Sequence, residues 1–152
     1  MKTIQLTIEQ AKSMYGKSKE MDELLLANFT KQELKPFDWH DIKTFKDACD
    51  KLGINLALVY NNLDSPDEIA YKKLKVIAKA INQGWVPDLS NGDEYKYYPW
   101  FDVLSSEFCF SASAYDCGSA GTLVGSQLCF GSREKSNHAA TQFIDLYKQF
   151  LL

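Results

Sequence analysis

Three lysines, Lys72, Lys75 and Lys79, fall at i, i+3 and i+7 of a run that reads as helix. That spacing sets three ammonium groups on one face, apart from Leu74, Ile77 and Ile81. Such a stripe can track a phosphate backbone, with Trp85, Tyr97 and Trp100 as stacking surfaces for bases. A solvated helix face explains the same lysines, and three Lys without an Arg make a modest footprint. The second chemistry-bearing run is Tyr95-Lys96-Tyr97-Tyr98-Pro99-Trp100-Phe101, with five aromatics in seven residues. Alternation puts Tyr95, Tyr97, Pro99 and Phe101 on one side of a strand, and Tyr98 and Trp100 on the other. One side must pack on helices. The other is either covered as well or presented to a partner. Pro99 points to an edge strand or a bulge, which leaves backbone groups for pairing.

Catalytic and metal chemistry find parts but no motif. Cys109, Cys117 and Cys129 are too far apart for a metal knuckle, and His40 and His138 are distant in sequence. No metal and no cofactor is expected. Cys109 and Cys129 fall in expected strands, where a buried thiol is the ordinary state. Cys117, in a Gly/Ser turn, is the cysteine to test for reactivity, and His138 is the nearest thing to a base. Gly118-Ser119-Ala120-Gly121-Thr122 is glycine-rich but leads into a strand and lacks the lysine of a phosphate loop.

The elements that must position these residues are partly legible. Thr7 with Gln10, and Thr30 with Glu33, match capping boxes, and Ser18 caps a helix between them. Gly16 ends the first helix, over about residues 8–15, and a short strand can precede it. The periodicity of Ile42, Phe45, Ala48, Cys49 and Leu52 predicts a helix over 41–52, closed by Gly53. Residues 54–64 are ambiguous. Ser65-Pro66-Asp67-Glu68 opens the clearest helix, whose stripe is Ala70, Leu74, Ile77, Ala78 and Ile81 and which Gly84 ends. Strands follow over 95–104 and 107–115, joined at Ser105-Ser106, with a third over 123–130. Ser132 caps a last helix with Ala139, Ala140, Phe143, Leu146, Tyr147 and Phe150 on its buried face. The expectation is one α+β domain. Residues 1–93 form a mainly helical layer. Residues 94–152 form a three-stranded antiparallel meander and a C-terminal helix. The last helix covers one sheet face and the Ser65 helix the other.

Composition narrows the function classes. The chain has 152 residues, 45% hydrophobic and 24% charged, as ordinary globular proteins do. Its net charge of −3 sits mainly in residues 91–152, where Lys96, Arg133, Lys135 and Lys148 face seven acids. The aromatic part is therefore the acidic part, which disfavours a nucleic-acid surface there. No run reaches the ~20 apolar residues of a membrane span. No signal-peptide core follows Met1, so a cytoplasmic protein with reduced thiols is expected.

Several segments resemble a family of small uncharacterised proteins carried by phages and integrated mobile elements of gut anaerobic bacteria. They are Leu6–Lys12, Leu25–Thr30, Thr44–Cys49, Glu94–Phe101 and Leu128–Glu134, and the likeness spans most of the chain. The resemblance implies a phage or mobile-element accessory protein in a bacterial host cytoplasm. It brings no activity or site residue with it.

Three functions then stand open. The leading expectation is a non-enzymatic binding protein acting by protein–protein contact or self-association through an exposed side of the meander, at Tyr98 and Trp100. The alternative is single-stranded nucleic-acid binding through Lys72, Lys75, Lys79 and Trp85. The third is an unrecognised enzyme with Cys117 or His138 in a cleft.

Overall fold

The computed structural model describes residues 6–104, 107–117 and 126–152. Residues 1–5, Ser105-Ser106 and the Gly/Ser turn from Gly118 lie outside them, and so does the start of the expected third strand. Contacts divide the chain into two compact units, 1–38 and 39–152. The helical part expected over 1–93 is shared between the units, because the helices between Asp38 and Asn82 pack on one another and on the C-terminal helical segment, which in turn meets the strands.

The first unit holds three short helices, α1 (Ile8–Met14), α2 (Lys19–Leu26) and α3 (Lys31–Leu34). Each starts where a side chain satisfies an orphan amide. Thr7 Oγ1 accepts from the Gln10 N–H while Gln10 Oε1 accepts from the Thr7 N–H. Thr30 and Glu33 repeat the exchange, and Ser18 Oγ accepts from the Met21 N–H. Gly16 turns the chain with φ at 83°, a conformation that costs glycine little. Ala11, Leu25 and Leu34 form a small core, flanked by Met14, Tyr15, Met21 and Phe29.

The second unit opens with a 3₁₀ turn over Trp39–Asp41, followed by α4 (Phe45–Leu52). The expected helix over 41–52 therefore starts four residues late. Thr44 is the reason: it is extended, its Oγ1 accepts from the Asp47 N–H, and Asp47 accepts in return from the Thr44 N–H. Ile42 is buried all the same, which is why it fits the periodicity. Next comes α5 (Pro66–Asn82), started by Pro66 and by the Glu68 carboxylate accepting from the Ser65 N–H. Gln83 and Gly84 both take positive φ and end it.

Strands β1 (Lys96–Leu104) and β2 (Glu107–Asp116) pair antiparallel, Lys96 opposite Asp116 and Leu104 opposite Glu107. The register slips between Trp100 and Phe101, where Ser111 is the extra residue on β2. Among the described residues the sheet is two-stranded, so the expected third strand is a correction. Ser126–Leu128 is a 3₁₀ turn, and Phe130 makes a single bridge to Tyr97, along the edge of β1 away from β2. The 3₁₀ geometry of 126–128 takes those residues out of pairing, and Asn82 holds the segment that follows from the side away from β1. The Asn82 Nδ2 donates to the Cys129 carbonyl (2.9 Å) and its Oδ1 accepts from the Gly131 N–H (3.2 Å). One side-chain amide thus occupies the outer edge of that segment.

The last helix is also two, α6 (Arg133–Gln142) and α7 (Ile144–Leu151). Phe143, at φ −118° and ψ 30°, is buried at the break. The break lets α6 lie along both strands while α7 packs on α5. The expected second cover for the sheet, α5, packs on α4, α6, α7 and the 126–128 turn, because its apolar stripe is consumed there.

Candidate functional site

Directly paired residues of an antiparallel sheet share a face. Tyr97, Pro99 and Phe101 therefore lie with Tyr115, Ser113 and Phe110, and this face meets the helices. The Phe101 ring centre lies 4.8 Å from that of Tyr147, the rings tilted, and burial pushes the Tyr147 hydroxyl pKa up. Ser113 Oγ lies 2.7 Å from Ser136 Oγ and 2.8 Å from Asn137 Oδ1. Arg133 donates to the Ser113 carbonyl and covers the Tyr97 and Tyr115 rings.

The opposite face carries Tyr98, Trp100 and Asp102 of β1 with Ala114, Ala112 and Cys109 of β2. Trp100 is 62% exposed, and the methyl groups of Ala112 and Ala114 beside it leave the indole standing above the sheet. Tyr98 is half-buried at the end of this face nearest Cys129. Burial, then the neighbouring Cys129 thiol, raises the Tyr98 hydroxyl to about 12. Burial likewise pushes the Cys129 thiol to about 11. That thiol is protonated at neutral pH and is a poor nucleophile.

The second place where expected site residues meet is a cleft of about 220 Å³ at the C-terminal end of α5. Lys75, Lys79 and Asn82 line one side; Trp85, Val86 and Pro87 line another; Gln127 and Cys129 close it. Trp85 is held rigidly. Its Nε1–H donates to the Glu94 carboxylate (3.1 Å), and a Cβ on Gly131 would meet the ring at 3.0 Å. Glycine at 131 is what allows the indole to lie against the backbone. Glu94 also accepts from the Asp88 N–H and sits 3.5 Å from Lys96 Nζ. Lys96 is only 2% exposed and donates to the carbonyls of Asn91 and Glu94, so it locks the 91–94 turn and offsets the Glu94 charge.

The lysine stripe is thus divided. Lys72 pairs with Asp64 at 2.6 Å, and its ammonium holds that carboxyl below the ordinary range. Lys75 and Lys79 stand at the cleft, with Lys75 Nζ 5.5 Å from the Tyr71 ring centre. Trp85, expected from the sequence as a stacking surface beside the stripe, does meet Lys75 and Lys79 at the cleft. Asn82, Gln127 and Cys129 were not expected in a site at all. No local signal marks them, since only the tertiary fold brings the 127–129 segment to the end of α5.

The enzyme expectation gathers little geometry. None of the four cysteines forms a disulfide, and Cys117 is half-buried just after β2. His138 Nε2 is 2.9 Å from the Ile42 carbonyl, and its ring packs edge-on against Trp39 and His40. That bond serves to hold α6 to the 39–42 turn. The phosphate-loop candidate from Gly118 lies outside the described residues. Among the described residues, no group of three or more His, Cys, Asp or Glu is placed to hold a metal ion. No helix among them is long and apolar enough to cross a membrane. The first unit has a hollow of about 490 Å³ lined by Leu6, Met14, Met21, Leu24, Leu25 and Phe29 with Asn28, and no charged side chain is among these lining residues.

Comparison with protein-family models, with curated proteins and with solved structures finds no match to the chain.

Proposed function

We propose that the chain is a non-enzymatic binding protein, a phage or mobile-element accessory protein of the host cytoplasm. It acts by contact with another protein through the hairpin. The observation that carries the reading is Trp100, largely exposed on the face turned away from the helices. Tryptophan is among the residues most enriched in interface anchors, and this one stands on a strand face beside Ala112.

The occupant is an extended segment of a partner protein. Two strands of nine and ten residues present a face of about 30 by 10 Å, roughly 300 Å². A stable dimer buries about 800 Å² per partner, so two hairpin faces stacked together would be weak. An added strand gains more, because main-chain hydrogen bonds supplement the side-chain contacts. Among the described residues no other strand lies beside β2; Arg133 already takes the Ser113 carbonyl, so the edge left for a partner is Phe108–Ala112, which carries no charge to repel one. Exposed Asp102 and Glu107 near the hairpin tip favour a segment with lysine or arginine at its end.

The test is fluorescence anisotropy of a labelled decapeptide of alternating Val and Thr, ended by lysines, against one ended by glutamates. The lysine-ended peptide is expected to bind more tightly, and Trp100→Ala to weaken it by about tenfold. No binding of either peptide at millimolar protein, or equal binding by the variant, overturns the reading. Concentration-dependent dimerisation abolished by Trp100→Ala would assign the face to a second copy instead.

A further inference from the structure

We propose that the cleft at the end of α5 is a binding site for a nucleoside monophosphate unit. Its planar base would lie against Trp85, its edge would meet the Gln127 amide, and its phosphate would sit between Lys75 and Lys79. None of these residues lies on the strands, though Cys129, which closes the cleft, also neighbours Tyr98 at one end of the hairpin face; the inference does not rest on that contact.

Three observations carry it. First, Lys75 and Lys79 are one helical turn apart and both line the cleft, while no acidic side chain is among the lining residues. Two full positive charges outweigh the roughly half negative charge of a helix C-terminus. The nearest carboxylate behind the indole, Glu94, is offset by Lys96 and directed by the Trp85 and Asp88 N–H groups.

Second, Trp85 is fixed before any ligand arrives. Its N–H is engaged by Glu94, and its ring is seated on the Gly131 backbone. A pre-positioned indole stacks a base without first losing side-chain freedom. Pro87 and Val86 extend the apolar wall beside it.

Third, the size and polarity suit one unit. A volume of about 220 Å³ is below the range of most drug-sized pockets, ~300–1,000 Å³. It takes one ring and leaves a charged group at the mouth, where the lysines stand. Lys72 is committed to Asp64, so the stripe does not continue along the helix as a track for a long backbone.

The unit can come from a free nucleotide or from the end of a single strand. Isothermal titration separates them, using AMP, GMP, CMP and UMP in one arm, an oligo-dT octamer with a 5′-phosphate in another, and inorganic phosphate as reference. Titrations at low and moderate salt, on the full chain, are expected to show binding that weakens with salt. The paired reversal Lys75→Glu/Lys79→Glu leaves the apolar core untouched and should weaken binding by at least about tenfold. Trp85→Leu should remove the preference for nucleotide over phosphate. Gln127→Ala should alter the ranking of bases, and serves if the Trp85 variant fails to fold. Binding in the octamer arm alone supports a strand end; binding in the nucleotide arm alone supports a free ligand. No binding in either arm overturns the proposal. So does binding insensitive to the lysine reversal, or phosphate bound as well as any nucleotide.

Discussion

Replacing Asn82 with alanine tests the frame on which both candidate sites depend. Asn82 is 6% exposed, at the end of α5. Its side chain makes two hydrogen bonds to a segment 47 and 49 residues away, to the Cys129 carbonyl and from the Gly131 N–H. On its other edge the same segment exchanges two hydrogen bonds with Tyr97, at 3.0 and 2.9 Å. Asn82 therefore ties helix to sheet through a strand of a single residue. Truncation leaves the Cys129 carbonyl buried without its donor, costing about 1–3 kcal/mol. The Gly131 N–H is only partly buried and can be hydrated, so its loss is nearer ~0.5–1 kcal/mol. Alanine regains about 0.5 kcal/mol as the better helix former. The sum is a destabilisation of about 1–3.5 kcal/mol. Urea unfolding followed by tryptophan emission should show a lower midpoint with an unchanged slope. Asn82→Asp sharpens the test. It keeps the acceptor for Gly131 but sets a carboxylate oxygen against the Cys129 carbonyl. The charged form is disfavoured in the fold, so the folded pKa of the new carboxyl lies above the unfolded ~3.9. Stability relative to the parent is then best below about pH 4 and lost as pH rises through the folded pKa. A change below about 0.5 kcal/mol for alanine, or an Asn82→Asp protein indifferent to pH relative to the parent, would refute the frame.

Other expectations are briefer. Lys96→Met should cost about 2–3 kcal/mol in the same urea assay, because it strips two carbonyls and Glu94 of a buried donor; a neutral result would mean that solvent reaches the 91–94 turn. Gly131→Ala should shift the emission of Trp85, read in a Trp39→Phe/Trp100→Phe background, since the new methyl meets the ring at 3.0 Å. An unchanged spectrum would mean the indole is not seated there. Alkali should destabilise the fold between about pH 9 and 12, because the unfolded chain ionises its cysteine and tyrosine first, while Cys129 and Tyr98 stay protonated to about 11 and about 12. Their folded pKa values are raised, so their contribution is complete below the unfolded values and is lost as pH climbs through the folded ones. Tyr98→Phe should flatten that decline in an equilibrium pH titration; an unaltered alkaline limb would show that Tyr98 is solvated in the fold.

Local chemistry made much of the fold legible. Capping boxes at Thr7, Thr30 and Ser65 act through neighbours three residues away, so sequence alone locates them. The alternation of Tyr97–Trp100 likewise needs only the pleat of a strand. The errors arose where another partner intervened. Thr44 and Asp47 took backbone groups that the helical period assigned to a longer α4. Phe143 left helical geometry where α6 and α7 pack on different neighbours. For the third strand, apolar residues near 123–130 read as strand, but Ser126–Leu128 turn as 3₁₀ and pairing with β1 is limited to the single bridge of Phe130 to Tyr97.

The candidate sites divide along the same line. Sequence by itself determined which residues have chemistry to offer: lysines on one face of α5, and aromatics alternating along β1. It did so because helical and strand periods are properties of the local backbone. Only the tertiary structure decided which of them meet. Lys72 was withdrawn by Asp64, while Lys75 and Lys79 were joined by Trp85, Gln127 and Cys129. Trp100 was left in solvent because the helix expected to cover it spends its apolar stripe on other helices. Charge pairing and the competition for a limited apolar surface are settled among distant residues, and no local window contains them.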